Sequence, residues 1–141
     1  MWIMARVLVV DDEELVRTML REVLERAGYE VIDAPDGKVA ARLYREKPAD
    51  LLIVDILMPE KDGLETIIDL CGEFPDVKII AVSGGGVTGR LDLLPAAEHL
   101  GAVRTFKKPF KMRELLAAIE EILGEPGEAA QSGGPISEQQ G

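Results

Sequence analysis

Residue types suited to phosphoryl chemistry stand at the ends of short apolar runs in this chain. RVLVV leads into Asp11 and Asp12, LLIV into Asp55, IIAV into Ser83 and AVRTFK into Lys108. In an open parallel sheet, ligands bind outside the carboxyl ends of the strands, so residues this far apart in sequence can converge on one site. Three carboxylates brought together repel one another; either some pKa values rise or a cation joins them. Magnesium suits the set, because it takes a few carboxylate oxygens, keeps several waters and is commonly completed by phosphate oxygens. An aspartate carboxylate can attack phosphorus and become an acyl phosphate when metal and fixed cations neutralise the transferring oxygens. Asp55, from the central run, fits that role best. Lys108 can supply a point charge to a phosphoryl group, and the Ser83 hydroxyl can donate a hydrogen bond to one of its oxygens. In the turn-rich loop LMPEKDG, the carbonyl of Leu57 is a further uncharged oxygen for a metal.

Such residues need a frame of alternating strands and helices. Residues 5 to 10 read as a buried strand, and ELVRTMLREVLERAG sets Leu15, Val16, Met19, Leu20, Val23 and Leu24 on one helical stripe ending at Gly28. YEVIDA is a second strand, PDG a turn, and KVAARLYREK a helix stopped by Pro48. DLLIVD is a third strand, LETIIDLC a helix and KIIAV a fourth strand. The run GGGVTGR after Ser83 reads as a mobile loop, and LDLLPAAEHLG as a short helix with Pro95 in its first turn. AVRTF is a fifth strand. FKMRELLAAIEEIL then sets Met112, Leu115, Leu116, Ile119, Ile122 and Leu123 on one stripe that closes at Gly124. Residues 125–141 have almost no large apolar side chains and read as a disordered acidic tail, leaving a single domain over 1–124.

Composition narrows the class of partner. The 141 residues suit one domain, and their formal charge of −10 sets 26 acidic residues against 16 basic ones. No stripe of Lys and Arg is present to displace counterions from a phosphate backbone, which argues against direct nucleic-acid binding. A cation or a basic protein surface is the better fit. Cys71 is alone, so no intrachain disulfide forms and a reducing cytoplasm is expected. The opening MWIMARVLVV is interrupted by Arg6, and no apolar run approaches the roughly 18 residues of a membrane span.

Taken in order, VLVVDDE, DLLIVDILMPEKDG, AVSG and GAVRTFKKPF resemble the receiver domains of two-component response regulators, single-domain chemotaxis and relay regulators among them, over residues 5–123. The resemblance implies a flavodoxin-like, doubly wound α/β fold. Its five parallel strands would run in the order 2-1-3-4-5 between five flanking helices. By the same resemblance Asp55 is the phosphoacceptor. Asp12, Asp55 and the Leu57 carbonyl hold magnesium, Asp11 reaches it through water, Ser83 is the switch hydroxyl and Lys108 the phosphoryl-binding lysine. The implied donor is a phosphohistidine on a sensor histidine kinase or a histidine phosphotransfer protein, and the signal passes to an unidentified downstream protein. Such a domain catalyses its own phosphorylation and dephosphorylation but is mainly a cytoplasmic switch, as a monomer or a weak dimer through its last helices. Two features depart from the family pattern: Thr105 stands where an aromatic is usual, with Phe106, next along the strand, facing the opposite side, and the run GGGVTGR after Ser83 is longer and more glycine-rich than the family pattern implies.

Each of these residues also has a plainer reading. Asp11 and Asp12 can cap the helix that follows, Asp55 can begin a turn, Ser83 can bond to backbone, and Lys108 can be a solvated charge before a proline. Only the combined order and spacing favours the site. Two rival functions share the fold: a phosphorylation-independent interaction module with a degenerate switch, and a small flavodoxin-like enzyme or phosphohydrolase. The second lacks a flavin-cradling loop after the first strand and a second catalytic acid.

Overall fold

The computed structural model describes residues 5–56, 63–83 and 94–124. Leu57, the glycine run after Ser83 and the expected tail over 125–141 lie outside these residues. The strands are β1 (Arg6–Val10), β2 (Glu30–Ala34), β3 (Leu51–Asp55), β4 (Ile79–Ser83) and β5 (Arg104–Lys107). They alternate with α1 (Glu14–Arg26), α2 (Gly37–Glu46), α3 (Gly63–Glu73), α4 (Leu94–Leu100) and α5 (Met112–Leu123). All pairings are parallel, in the order β2-β1-β3-β4-β5. This is the doubly wound topology that the motifs imply.

Side-chain alternation along each strand sorts the core into two layers. Leu8, Val10, Leu52, Val54, Ile79 and Ala81 face a layer closed by α2, α3 and α4, through residues such as Tyr44, Ile67 and Ala97. Val7, Val9, Leu51, Ile53, Ile80 and Val82 face the other layer, closed by Leu20 and Leu24 of α1 and by Leu115, Ala118 and Ile119 of α5. Covering on both faces is why the central strands read as unbroken apolar runs and why every residue of β3 and β4 is buried.

Local signals fix the helix ends. The Asp36 carboxylate accepts a 2.9 Å hydrogen bond from the Val39 N–H and starts α2. Gly28, with φ +102°, ends α1, where the Tyr29 N–H returns to the Leu24 carbonyl at 3.1 Å. Pro95 is the second residue of α4, where its missing N–H has no helical partner to lose. Burial on α1 is narrower than its apolar stripe. Leu20 and Leu24 are buried, whereas Leu15 is 83% exposed and Met19 is exposed too. Leu15 and Met19, four residues apart, form the edge of the stripe turned to solvent, whereas Val16 in the same turn as Leu15 packs against the core.

Two glycines test this packing in opposite directions. A Cβ on Gly37 would stand 2.2 Å from the Thr66 Oγ1 of α3, whereas one on Gly72 meets nothing within 4 Å. Gly72→Ala is expected to raise stability by about 0.5 kcal/mol through helix propensity, and Gly37→Ala to lower it by about 1–3 kcal/mol through overpacking. Urea unfolding midpoints of the two variants check both signs.

Candidate functional site

Strand order places the site. After β1 the chain crosses to β2 on one side, and later strands build outward on the other, so β1 and β3 flank the point where winding reverses. Asp11 follows β1 directly and Asp55 is the last residue of β3. Alternation turns both toward the α1 and α5 layer.

Backbone and side chain together fix Asp11. Its N–H donates to the Ala34 carbonyl at 3.1 Å, and its Oδ1 accepts from the Glu13 N–H at 2.8 Å. Its own carbonyl accepts from the Arg17 guanidinium at 2.7 Å. The Glu13 contact spans two residues, so Asp11 closes a turn before the helix instead of capping it; Glu13 holds the cap position. Its Oδ2 is left facing the site. Asp11 is 3% exposed and Asp55 7%, whereas Asp12 is exposed. Carboxylate oxygens of all three lie within 4.8 Å of one another.

Lys108, the residue after β5, stands over this cluster. Its Nζ is 3.8 Å from Asp11 Oδ2 and 3.8 Å from Asp55 Oδ2. The Lys108 N–H donates to the Ser83 carbonyl at 2.8 Å, which ties the lysine to the end of β4. Ser83 is buried at that end, one residue beyond the Val82 that pairs with Asp55. Of the residues singled out in sequence, Asp11, Asp12, Asp55 and Lys108 therefore converge within ion-pairing reach, with Ser83 on the adjacent strand end. Burial is the main reason the Asp11 carboxyl is pushed up from 3.8 to about 6; the Glu13 N–H lowers it, the Asp55 charge raises it and Lys108 lowers it. Three hard oxygen donors with more negative charge than one lysine balances form a set suited to a divalent cation.

Beside the acids the site opens into an apolar cavity of about 700 Å³ between α1 and the start of α5, lined by Val16, Met19, Leu20, Phe110 and Met112. Phe106 packs on this side against Phe110, ring centroids 5.4 Å apart, and Thr105 lies opposite Ala81 toward the other layer. The aromatic next to Thr105 thus faces away from it, as strand alternation requires. Arg17 and its partner Asp33 on β2 escape a search for motifs. The available signal was an arginine on the face of α1 that meets a strand carrying an acid at an apolar-flanked position. Among the described residues no helix is long and apolar enough to cross a membrane.

Comparison with known proteins agrees with this geometry. The family model for the response regulator receiver domain matches residues 7–120. Protein CcdB of Bacillus subtilis is 36% identical over 122 residues, covering 86% of this chain and 99% of its own length. Chemotaxis protein CheY of Thermotoga maritima is 34% identical over 118 residues, covering 83% and 96%. The crystal structure of response regulator TrrA from Thermotoga maritima, in complex with Mg2+-BeF, is 35% identical with a TM-score of 0.72, covering 85% of this chain and 100% of that one.

Asp11 provides a test of the electrostatics. Its folded pKa lies above its unfolded value, so between about pH 4 and pH 6 the folded protein retains a proton that the unfolded chain has lost, and stability falls as pH rises. In chelator, Asp11→Asn is expected to exceed the parent protein in stability by on the order of 2 kcal/mol at about pH 7, the gap closing near pH 4. Denaturant unfolding at the two pH values decides; a gap independent of pH contradicts the assignment.

Proposed function

This chain belongs to the response regulator receiver domain family, and from that membership we propose that it is a phosphorelay switch with Asp55 as phosphoacceptor. The observation that carries the reading is the position of Lys108 Nζ, 3.8 Å from both Asp11 and Asp55, above three carboxylates that share one small volume. A carboxylate oxygen of Asp55 attacks the phosphorus of a phosphohistidine, the N–P bond breaks, and the imidazole leaves as the acyl phosphate forms. The donor is a sensor histidine kinase or a histidine phosphotransfer protein. Lys108 meets the charge on the transferred group, and the Ser83 hydroxyl donates to one of its oxygens.

Asp12, Asp55 and the Leu57 carbonyl would hold Mg2+ directly and Asp11 through water. The clustered carboxylates and the raised Asp11 pKa fit such an ion, since a cation relieves the repulsion that burial makes costly. An ion held there would supply positive charge that, together with Lys108, neutralises the phosphoryl oxygens. The Mg2+-BeF complex of the Thermotoga maritima regulator supports the same pairing of cation and anionic ligand here. Hydrolysis of the acyl phosphate returns the switch to rest, and the phosphorylated form changes its affinity for a downstream protein in the cytoplasm. The domain proper spans 1–124 and 125–141 is a tail.

A second reading, a constitutive interaction module, draws on Thr105. A threonine opposite Ala81 cannot swing a ring toward Ser83. Labelling with a small phosphodonor separates the two. The parent protein is expected to take up a Mg2+-dependent, hydroxylamine-sensitive label that Asp55→Asn loses and Asp62→Asn keeps. Lys108→Ala is expected to slow labelling by at least about tenfold. A parent protein that takes no label favours the constitutive module.

A further inference from the structure

Arg17 lies on α1, outside the residues that meet the phosphoryl group, yet it grips the site's backbone. One guanidinium nitrogen donates to the Asp11 carbonyl at 2.7 Å while the Nε donates to Asp33 Oδ2 at 3.1 Å. The other carboxylate oxygen of Asp33 accepts from Arg21 at 2.9 Å. Asp33 is therefore fixed by two cations on α1 and in turn holds the Arg17 fork, whose side chain is only 15% exposed.

We propose that Arg17 is a positioning residue for the metal site, holding the peptide plane between Asp11 and Asp12 so that both carboxylates face Asp55. The β1 to β2 register ends at Val10 and Ala34, and the Asp11 N–H makes the last bond across it at 3.1 Å. Beyond that point, among the described residues, no strand partner takes the Asp11 carbonyl, and Arg17 does. A trans peptide is planar, so fixing its oxygen also fixes the Asp12 nitrogen and with it the direction in which exposed Asp12 leaves the turn. The hydrogen bond is charge-assisted and its donor is planar and oriented by a second acceptor, which makes it a stiff constraint.

Charge alone gives the opposite expectation. Arg17 is a cation close to a cation site, so removing it by electrostatics should tighten metal binding. Positioning predicts weaker binding, and the sign distinguishes the two. Arg21 is the control: it shares Asp33 and bonds the Val31 carbonyl at 2.8 Å, docking α1 on β2, but its hydrogen bonds, to Glu25, Val31 and Asp33, do not reach Asp11.

The inference rests on the proposal that the acidic cluster holds Mg2+, and one titration tests both. Mg2+ is added to the full chain, and its dissociation constant is read from the amide resonances of Asp11, Asp12 and Asp55. Arg17→Met keeps the apolar stem and a good helix former, and is expected to weaken Mg2+ binding about tenfold. Arg17→Lys, which can donate to the carbonyl or to Asp33 but not as a fork to both, is expected to fall between. Arg21→Met is expected to stay within about twofold of the parent protein. Unchanged or tighter binding in Arg17→Met overturns the proposal, as does an equal loss in Arg21→Met. If Arg17→Met does not fold, parent-like affinity in Arg17→Lys overturns it. A parent protein without saturable Mg2+ binding refutes the metal reading itself, and this inference with it.

Discussion

Buried negative charge at one edge of the sheet is the constraint around which this domain is arranged. Asp11 and Asp55 are almost wholly withdrawn from water, and Asp12 adds a third carboxylate within 4.8 Å. One ammonium group, 3.8 Å from the two buried acids, offsets part of that charge. Removing ionised carboxylates from water is expensive unless each finds donors or a cation, and repulsion among them adds to the cost. Here the cost shows in Asp11, whose carboxyl rises to about 6 chiefly through burial even though a backbone N–H and Lys108 both favour its ionised form. An arrangement that hydrophobic packing alone would never select is retained at the strand ends.

The rest of the fold can carry that edge because its core lies elsewhere. Along β1, β3 and β4 each apolar residue enters one of two layers, so four consecutive apolar residues are used in each strand, and in β3 and β4 the polar residue comes only at the carboxyl end. Parallel pairing aligns those ends, with Asp55 opposite Val82 and Ser83 opposite Lys107. Glycine at 63 adds to the compactness of the site, since a Cβ there would fall 2.2 Å from the Cα of Ile56, immediately after Asp55. Asp11 and Asp55 are thus attached to deeply packed strands, which is the support that a preorganised site requires.

Much of this was legible in the sequence because strand burial, helix capping and turn chemistry are local. The apolar runs located β1, β3 and β4 to within a residue, Asp36 and Gly28 punctuated their helices, and Pro95 marked the start of α4. The convergence of Asp11, Asp12, Asp55 and Lys108 followed from where the runs end. Periodicity was less informative about α1, since an apolar stripe does not reveal how much of its width the sheet covers; Leu15 and Met19 match the pattern and are exposed, while Val16 between them packs on the core. Pairings across the chain were not legible either. Arg17 and Asp33 are 16 residues apart on different elements, and only the tertiary register of α1 on β2 brings them together. The metal-binding role proposed for Leu57, outside the described residues, rests on the family motif alone.

The two-layer core also bears on how a ligand at the site is sensed. Asp11, Asp55 and Lys108 border the cavity beneath α1 and α5, where Phe106 and Phe110 bracket the lysine in sequence and touch at 5.4 Å between centroids. Ser83 continues the alternation of Ile79 and Ala81, which face α3 and α4. A phosphoryl group bonded to Lys108 and to the Ser83 hydroxyl would therefore bridge the layers, bracing an end of β4 that the Lys108 N–H already holds at 2.8 Å. With threonine at 105, no ring lies on the serine side of β5 to convert that bracing into a large side-chain swing; the aromatic mass of β5 is on the lysine side. A displacement of Lys108 thus has a direct packed route into α5, through Phe106, Phe110 and the cluster containing Leu115 and Met112. On the serine side the strand neighbours Ala81 and Thr105, paired across β4 and β5, carry small side chains and no ring.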